Sequence, residues 1–284
     1  MNRNLNLLIF LGSMGLITPA VQASCNDLVA AFYAATEPVD INDLPEMARI
    51  QPIEQSEILI NGVVRHWTGP SEKIYSSVWV KNNGRAERMY LGSAPMMDAA
   101  TSVEALDAAV KAYNGGRGAW SRMSITERVK HFRTLIEGMK ANREKMVRFI
   151  MLEIGKNRGE KSEKAAEAEF DRTITYIEDT IKAALEIEAE SKTMKVVGGY
   201  EVFEGRVPLG VTLDLAPFNY PLNETFTNLI PALMMGNTVV FKPAKIGVLL
   251  LQPLVEIFQK SFPPGVINTI YGDGPTVVTP VVKS

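Results

Sequence analysis

The chain has 284 residues, 46% of them hydrophobic and 22% charged, close to the globular average, which excludes disordered and collagen-like architectures. Thirty basic against 32 acidic side chains leave a formal charge of −2 and no basic field for a phosphate backbone, so no nucleic-acid partner is expected. The single cysteine, Cys25, excludes an internal disulfide and a thiolate metal cluster. His66 and His131 lack the spacing of a zinc or triad site, so no metal is expected either.

Residues 1–23 read as a signal peptide. Arg3 precedes an apolar stretch from Leu7 to Ile17, too short for a bilayer span of about 20 residues, so no stable membrane span is expected. Val21 and Ala23 form the small-residue pair ahead of a cleavage point. The competing reading is a buried N-terminal helix. Residues 24–56, interrupted by Pro38, Pro45 and Pro52, read as an irregular arm. Residues 57–100 are β-rich. Two β-type runs flank Asn61-Gly62, a tight-hairpin composition, and Ile74–Val80 turns at Asn82-Asn83-Gly84 to resume at Arg88–Leu91.

Residues 101–193 read as helical. Thr101 to Glu104 has the form of a capping box, opening a helix with Val103, Leu106, Val110 and Tyr113 on its inner face. Ser124 to Glu127 is a second box, ahead of Val129, Phe132, Ile136 and Met139. A third helix runs from Glu160 to about Ala189, its Lys/Glu run read as a solvated face. Residues 194–210 form a hairpin turning at Gly198-Gly199. Strand and helix patterns then alternate: Val211–Leu215, Thr225–Met235, Asn237–Phe241, Val248–Phe258 and Val266–Ile270. Continuous aliphatic strands with crossover helices mean an α/β fold with a parallel sheet covered on both faces.

Ligands of such sheets sit at the carboxyl ends of the strands. Three segments qualify: Ala216–Pro221, Lys242–Lys245 and Tyr271–Pro275. Gly-x-Gly-x-x-Gly, Walker and His-Glu-x-x-His motifs are all missing. The residues alone therefore say only that a lysine and an asparagine face one crevice.

The segments Pro217-Phe-Asn-Tyr-Pro-Leu-Asn-Glu224, Leu229-Ile-Pro-Ala-Leu233 and Gly236-Asn-Thr-Val-Val-Phe-Lys-Pro-Ala244 resemble the aldehyde dehydrogenase superfamily. Within it the sequence is similar to the non-phosphorylating, NADP-dependent glyceraldehyde-3-phosphate dehydrogenase branch. Gly116-Arg-Gly-Ala-Trp120, Glu153-Ile-Gly-Lys156 and Glu169-Phe-Asp-Arg-Thr173 extend the likeness, which runs from about Ile58 to Ser284. It implies an aldehyde dehydrogenase-like fold, with residues 211–284 as the first half of an NAD(P)-binding, Rossmann-type domain whose sheet is incomplete within this chain.

The resemblance also implies roles. Asn219 matches the oxyanion donor for a tetrahedral intermediate, a group typically worth about 2.7–4 kcal/mol of barrier. Lys242 matches the lysine that contacts the adenosine ribose. Lys245 stands where NAD-preferring relatives often carry glutamate; a second cation suits a 2′-phosphate and implies NADP over NAD. Arg172 matches an arginine assigned to the substrate phosphate, with a helix-surface ion pair as the alternative. Tyr220 lines the aldehyde channel or packs in the core. Gly274 and Pro275 approach the adenine, and the Ala216 backbone the nicotinamide half.

The nucleophilic cysteine, the general-base glutamate and the pyrophosphate-gripping turn correspond to positions beyond Ser284, and Cys25 cannot replace the nucleophile. The chain alone is therefore not expected to oxidise an aldehyde. The resemblance implies a cytoplasmic homo-oligomer assembled through β arms like Glu57–Leu91, acting on a small aldehyde such as glyceraldehyde 3-phosphate. The signal-peptide-like start points instead to export. The second functional reading is a non-catalytic exported binding or assembly protein derived from an aldehyde dehydrogenase.

Overall fold

The computed structural model describes residues 38–156 and 165–284. The expected signal peptide, Cys25, the first part of the irregular arm (residues 24–37) and the expected start of the third helix lie outside them. The described residues divide into two compact units, one of residues 38–44 with 79–87, the other of residues 45–78 with 88–156 and 165–284.

In the smaller unit, Asp40 bridges Lys81 in parallel, and Asp40 also accepts from the Asn42 backbone N–H at 2.9 Å. Asn83 (φ 49°) and Gly84 (φ 78°) are both left-handed, as a two-residue hairpin turn requires.

The larger unit opens with β1 (Ile53–Glu54), β2 (Glu57–Ile60) and β3 (Val63–His66). It continues through residues 71–78 of β4 (Ser71–Asn82) and 88–95 of β5 (Arg85–Pro95). Strands β1, β5 and β4 form one sheet in that order. β2 and β3 pair antiparallel about Asn61 (φ 52°) and Gly62 (φ 74°).

Next come α1 (Ala99–Tyr113), α2 (Ala119–Arg122), α3 (Ile125–Ala141), α4 (Arg143–Phe149) with a π turn over Ile150–Ile154, and α5 (Ala165–Ser191). The box at the start of α3 forms in full between Ser124 and Glu127. The one expected at Thr101 does not. Asp98 caps α1 instead, accepting from the Thr101 N–H at 2.7 Å, so Thr101 is already helical. The buried face of α1 also differs from expectation: Ser102, Ala105, Ala108 and Ala109 are inside, and Val110 is half-exposed. The reason is close approach. The helix lies against strands of the parallel sheet, near enough for the Thr238 hydroxyl to donate to the Ala109 carbonyl at 2.9 Å, and only small side chains fit there.

A short hairpin, β6 (Lys195–Val197) and β7 (Tyr200–Val202), leads into β8 (Val211–Leu215), α6 (Asn223–Met234), β9 (Thr238–Lys242), α7 (Pro253–Ser261), β10 (Ile267–Thr269) and α8 (Gly274–Lys283). The sheet is parallel in the order β10-β9-β8, with Leu215 opposite Lys242 and Ile267 opposite Val239. Helix α7 begins later than the apolar run from Val248 suggests. Pro253, lacking an N–H, sits naturally at the first helical turn, and the residues before it form turns.

One buried cation ties these layers together. Among the described residues Arg128 on α3 makes no ion pair; its guanidinium donates to the carbonyls of Trp120 (3.1 Å), Ser121 (2.9 Å) and Met234 (2.9 Å), the last at the C-terminus of α6. Gly236 must be glycine beside it: its φ is +90°, and a Cβ would fall 2.4 Å from an Arg128 nitrogen. Arg128→Ala leaves three carbonyls without their donor and should cost roughly 3 kcal/mol or more, read as a lower midpoint in chemical denaturation.

Asp214 on β8 is the opposite case. It is buried with an unpartnered carboxylate oxygen, and burial pushes its pKa up from 3.8 to about 7. Between those two values the unfolded chain loses this proton and the folded chain keeps it, so folding is penalised increasingly as pH rises and fully above about 7. Asp214→Asn should therefore gain stability over the parent from pH 4 to pH 7 and hold that gain at pH 8. Melting temperatures measured across that range test it; a pH-independent difference would contradict the assignment.

Candidate functional site

The site grows out of the carboxyl ends of the three parallel strands. The Ala216 N–H donates to the Lys242 carbonyl at 3.0 Å, so β8 and β9 end together. Beyond them, each strand enters a turn held by a different device.

The turn after β8 runs from Pro217 to Pro221 into α6. Glu169, fully buried on α5, gathers its far end, accepting from the backbone N–H groups of Leu222 (3.1 Å) and Asn223 (3.2 Å). Its other oxygen takes the Lys156 ammonium at 2.5 Å. That ammonium lies 3.2 Å from the centroid of the Tyr220 ring, and the Arg172 guanidinium 5.3 Å from it, so one aromatic face system serves two cations. Phe218 and Asn219 are exposed, and the Asn219 side chain makes no hydrogen bond among the described residues.

The turn after β9 is organised by Glu153, which is 2% exposed. It accepts from Gly247 (2.8 Å), Leu249 (3.3 Å) and Leu250 (3.1 Å). Burial raises its pKa to about 7, outweighing the pull of these N–H donors toward the ionised form. Gly247 has φ +100°, and a Cβ there would lie 2.5 Å from Pro221, so the turns after β8 and β9 touch. Lys242 closes β9. Its ammonium donates to the Pro243 carbonyl at 3.1 Å; burial lowers its pKa, and the Asp273 carboxylate pulls it back up.

After β10, Tyr271 is buried, with its phenol pushed up to about 12 by desolvation. Asp273 then caps α8 by accepting from Thr276 N–H at 3.3 Å. Gly274, the first residue of α8, needs no unusual φ, and a Cβ added to it meets no atom within 4 Å. The chain's own packing does not demand a glycine there.

The turns after β9 and β10 border a cavity of about 390 Å³, whose lining includes Glu72, Lys242, Lys245, Val248, Tyr271 and Gly274. Lys245 forms an ion pair with Glu72 of β4.

Of the residues singled out in the sequence, the cavity gathers Lys242, Lys245 and Gly274. Pro275 follows Gly274 in α8, and Ala216 is joined to Lys242 through the backbone. Asn219, Tyr220 and Arg172 do not line it. The expected single crevice with a lysine and an asparagine is thus two neighbouring positions, because Glu169 and Lys156 draw the turn after β8 toward α5. Arg172 makes no ion pair among the described residues; its contact is the Tyr220 ring. Tyr220 is 37% exposed.

Sequence reasoning missed Glu153, Glu169, Lys156, Asp273 and Glu72 as parts of the site. Glu169 had a visible signal. It falls between Ala166 and Thr173 on the helical stripe that buries Phe170, Ile174 and Ile177, a position an unpaired carboxylate does not occupy. Among the described residues no group of His, Cys, Asp and Glu side chains could hold a metal, and no helix is long and apolar enough to cross a membrane.

The aldehyde dehydrogenase family model matches residues 77–284. Over 176 residues the chain is 32% identical to the N-succinylglutamate 5-semialdehyde dehydrogenase of Vibrio cholerae, covering 62% of this chain and 35% of that protein. Over 205 residues it is 29% identical to the NADP-dependent glyceraldehyde-3-phosphate dehydrogenase of Streptococcus equinus, covering 68% and 40%. The crystal structure of the NADP-dependent glyceraldehyde-3-phosphate dehydrogenase from Bacillus halodurans C-125 complexed with NADP superposes with a TM-score of 0.64 at 28% identity, over 80% of this chain and 45% of that one. The chain thus spans 35–45% of the length of these relatives. With the match extending over residues 77–284 and the fold agreeing, the chain belongs to the aldehyde dehydrogenase family.

Proposed function

We propose that this chain supplies the adenosine half of the cofactor site, and the oxyanion donor, of an NADP-dependent enzyme that oxidises an aldehyde to a carboxylic acid. One observation carries the reading. A cavity at the carboxyl ends of parallel strands holds two lysines and a glycine that the protein's own packing does not require. In this reading Lys242 meets the ribose, Lys245 its 2′-phosphate, Gly274 and Pro275 the adenine, and the Ala216 backbone the nicotinamide half. When bound, NADP accepts the hydride.

The remaining work falls to side chains. Asn219, with its amide unengaged, donates to the aldehyde oxygen as the carbon becomes tetrahedral. Arg172, exposed beside the Tyr220 ring, offers a guanidinium to an anionic group on the substrate, which supports an anionic aldehyde, with glyceraldehyde 3-phosphate as the specific candidate. The 284 residues contain one cysteine, Cys25, so in this reading the thiolate and the general base come from sequence outside them. Self-assembly through β arms is part of the same proposal. The solvent-facing Val196, Val197 and Tyr200 of the β6–β7 hairpin add apolar surface in its support.

Two measurements test it. In calorimetric titration of the purified chain, Lys242→Ala should weaken NADP about tenfold, the loss of one charge-assisted contact; unchanged affinity would remove the cofactor assignment. In an active enzyme containing this chain, Asn219→Ala should lower kcat about 10²–10³-fold with little change in nucleotide affinity. A parallel loss of nucleotide binding would show instead that Asn219 serves the fold.

A further inference from the structure

We propose that Glu72 is a specificity-determining residue of the nucleotide cavity, holding Lys245 in an ion pair and so lowering the preference for a 2′-phosphate over a 2′-hydroxyl. The inference rests on the reading of this cavity as the adenosine site.

Glu72 is the second residue of β4, upstream of the stretch that the family model matches, yet it lines the same cavity as Lys242 and Lys245. Its carboxylate pairs with the Lys245 ammonium, while Asp273 acts on Lys242. The two lysines therefore face two carboxylates, and the cavity carries no net positive field of its own. A 2′-phosphate can reach Lys245 only by displacing Glu72 or by settling beside an uncompensated negative charge, and either lowers its gain. A 2′-hydroxyl meets no such conflict. It can donate to the Glu72 carboxylate, the chemistry by which acidic side chains read that hydroxyl in dinucleotide sites. The Lys245 and Glu72 side chains are 70% and 36% exposed, so their pair is weak and exchangeable. Glu72 thus tunes the choice between the two nucleotides without forbidding either.

The test uses adenosine 2′,5′-bisphosphate and adenosine 5′-monophosphate as probes, titrated calorimetrically into the purified chain at low ionic strength. Glu72→Gln should raise the ratio of affinities, bisphosphate over monophosphate, by about fivefold. Glu72→Ala should move it the same way, and Lys245→Ala should lower it. In the Lys245→Ala background the effect of Glu72→Gln should shrink, since the two act as a pair. A ratio unchanged by both Glu72 variants, with Lys245→Ala still lowering it, overturns the role of Glu72 and leaves the cofactor site standing. Failure of the parent chain to bind either probe, or binding insensitive to both Lys242→Ala and Lys245→Ala, overturns the cofactor reading and this inference together.

Discussion

The site depends on two buried glutamates that collect backbone N–H groups. Glu169 holds the end of the turn after β8, and Glu153 holds the turn after β9. An irregular loop at the end of a buried strand strands its amide donors away from water, and each unmet donor costs about 1–3 kcal/mol. A carboxylate with two acceptor oxygens answers several at once. The two acids are solvated differently in charge terms: Glu169 has Lys156 as a counterion, whereas Glu153 meets amide dipoles and no cation among the described residues and is raised toward neutrality by burial. The turn after β8 is pinned by a full ion pair, the turn after β9 by dipoles alone.

Much of the architecture was readable from local rules. The hairpin at Asn61-Gly62, the box at Ser124 and the parallel strands each follow from short-range chemistry that no distant contact overrides. What could not be read depends on three-dimensional proximity. The inner face of α1 is alanine and serine because a sheet presses against it, and hydrophobicity alone points to Val103 and Val110 instead. The first capping position moved to Asp98 for an equally local reason, since two cap-competent residues stood three apart and the earlier one won.

The site followed the same division. Lys242, Lys245 and Gly274 sit in strand-end segments whose topology announces a ligand position, and they line one cavity. Glu153 and Glu169 stand in helical sequence, where a charge is ordinarily a solvated face; the apolar stripe around Glu169 marks it as inward, but only packing shows that Glu153 is buried. Glu72 is separated from Lys245 by most of the chain's helices, so no spacing rule could pair them.

The contact between Gly247 and Pro221 has a consequence for how such a protein can change over time. The turn bearing Asn219 and Tyr220 leans directly on the turn leading from Lys245, with no room for even a methyl group between them. Any reshaping of the first shifts the second, and with it the cavity that Lys245 lines. A side chain at position 247 would force the two turns apart, so these two strand-end turns tolerate change only as one unit, and Gly247 is the point at which they are coupled.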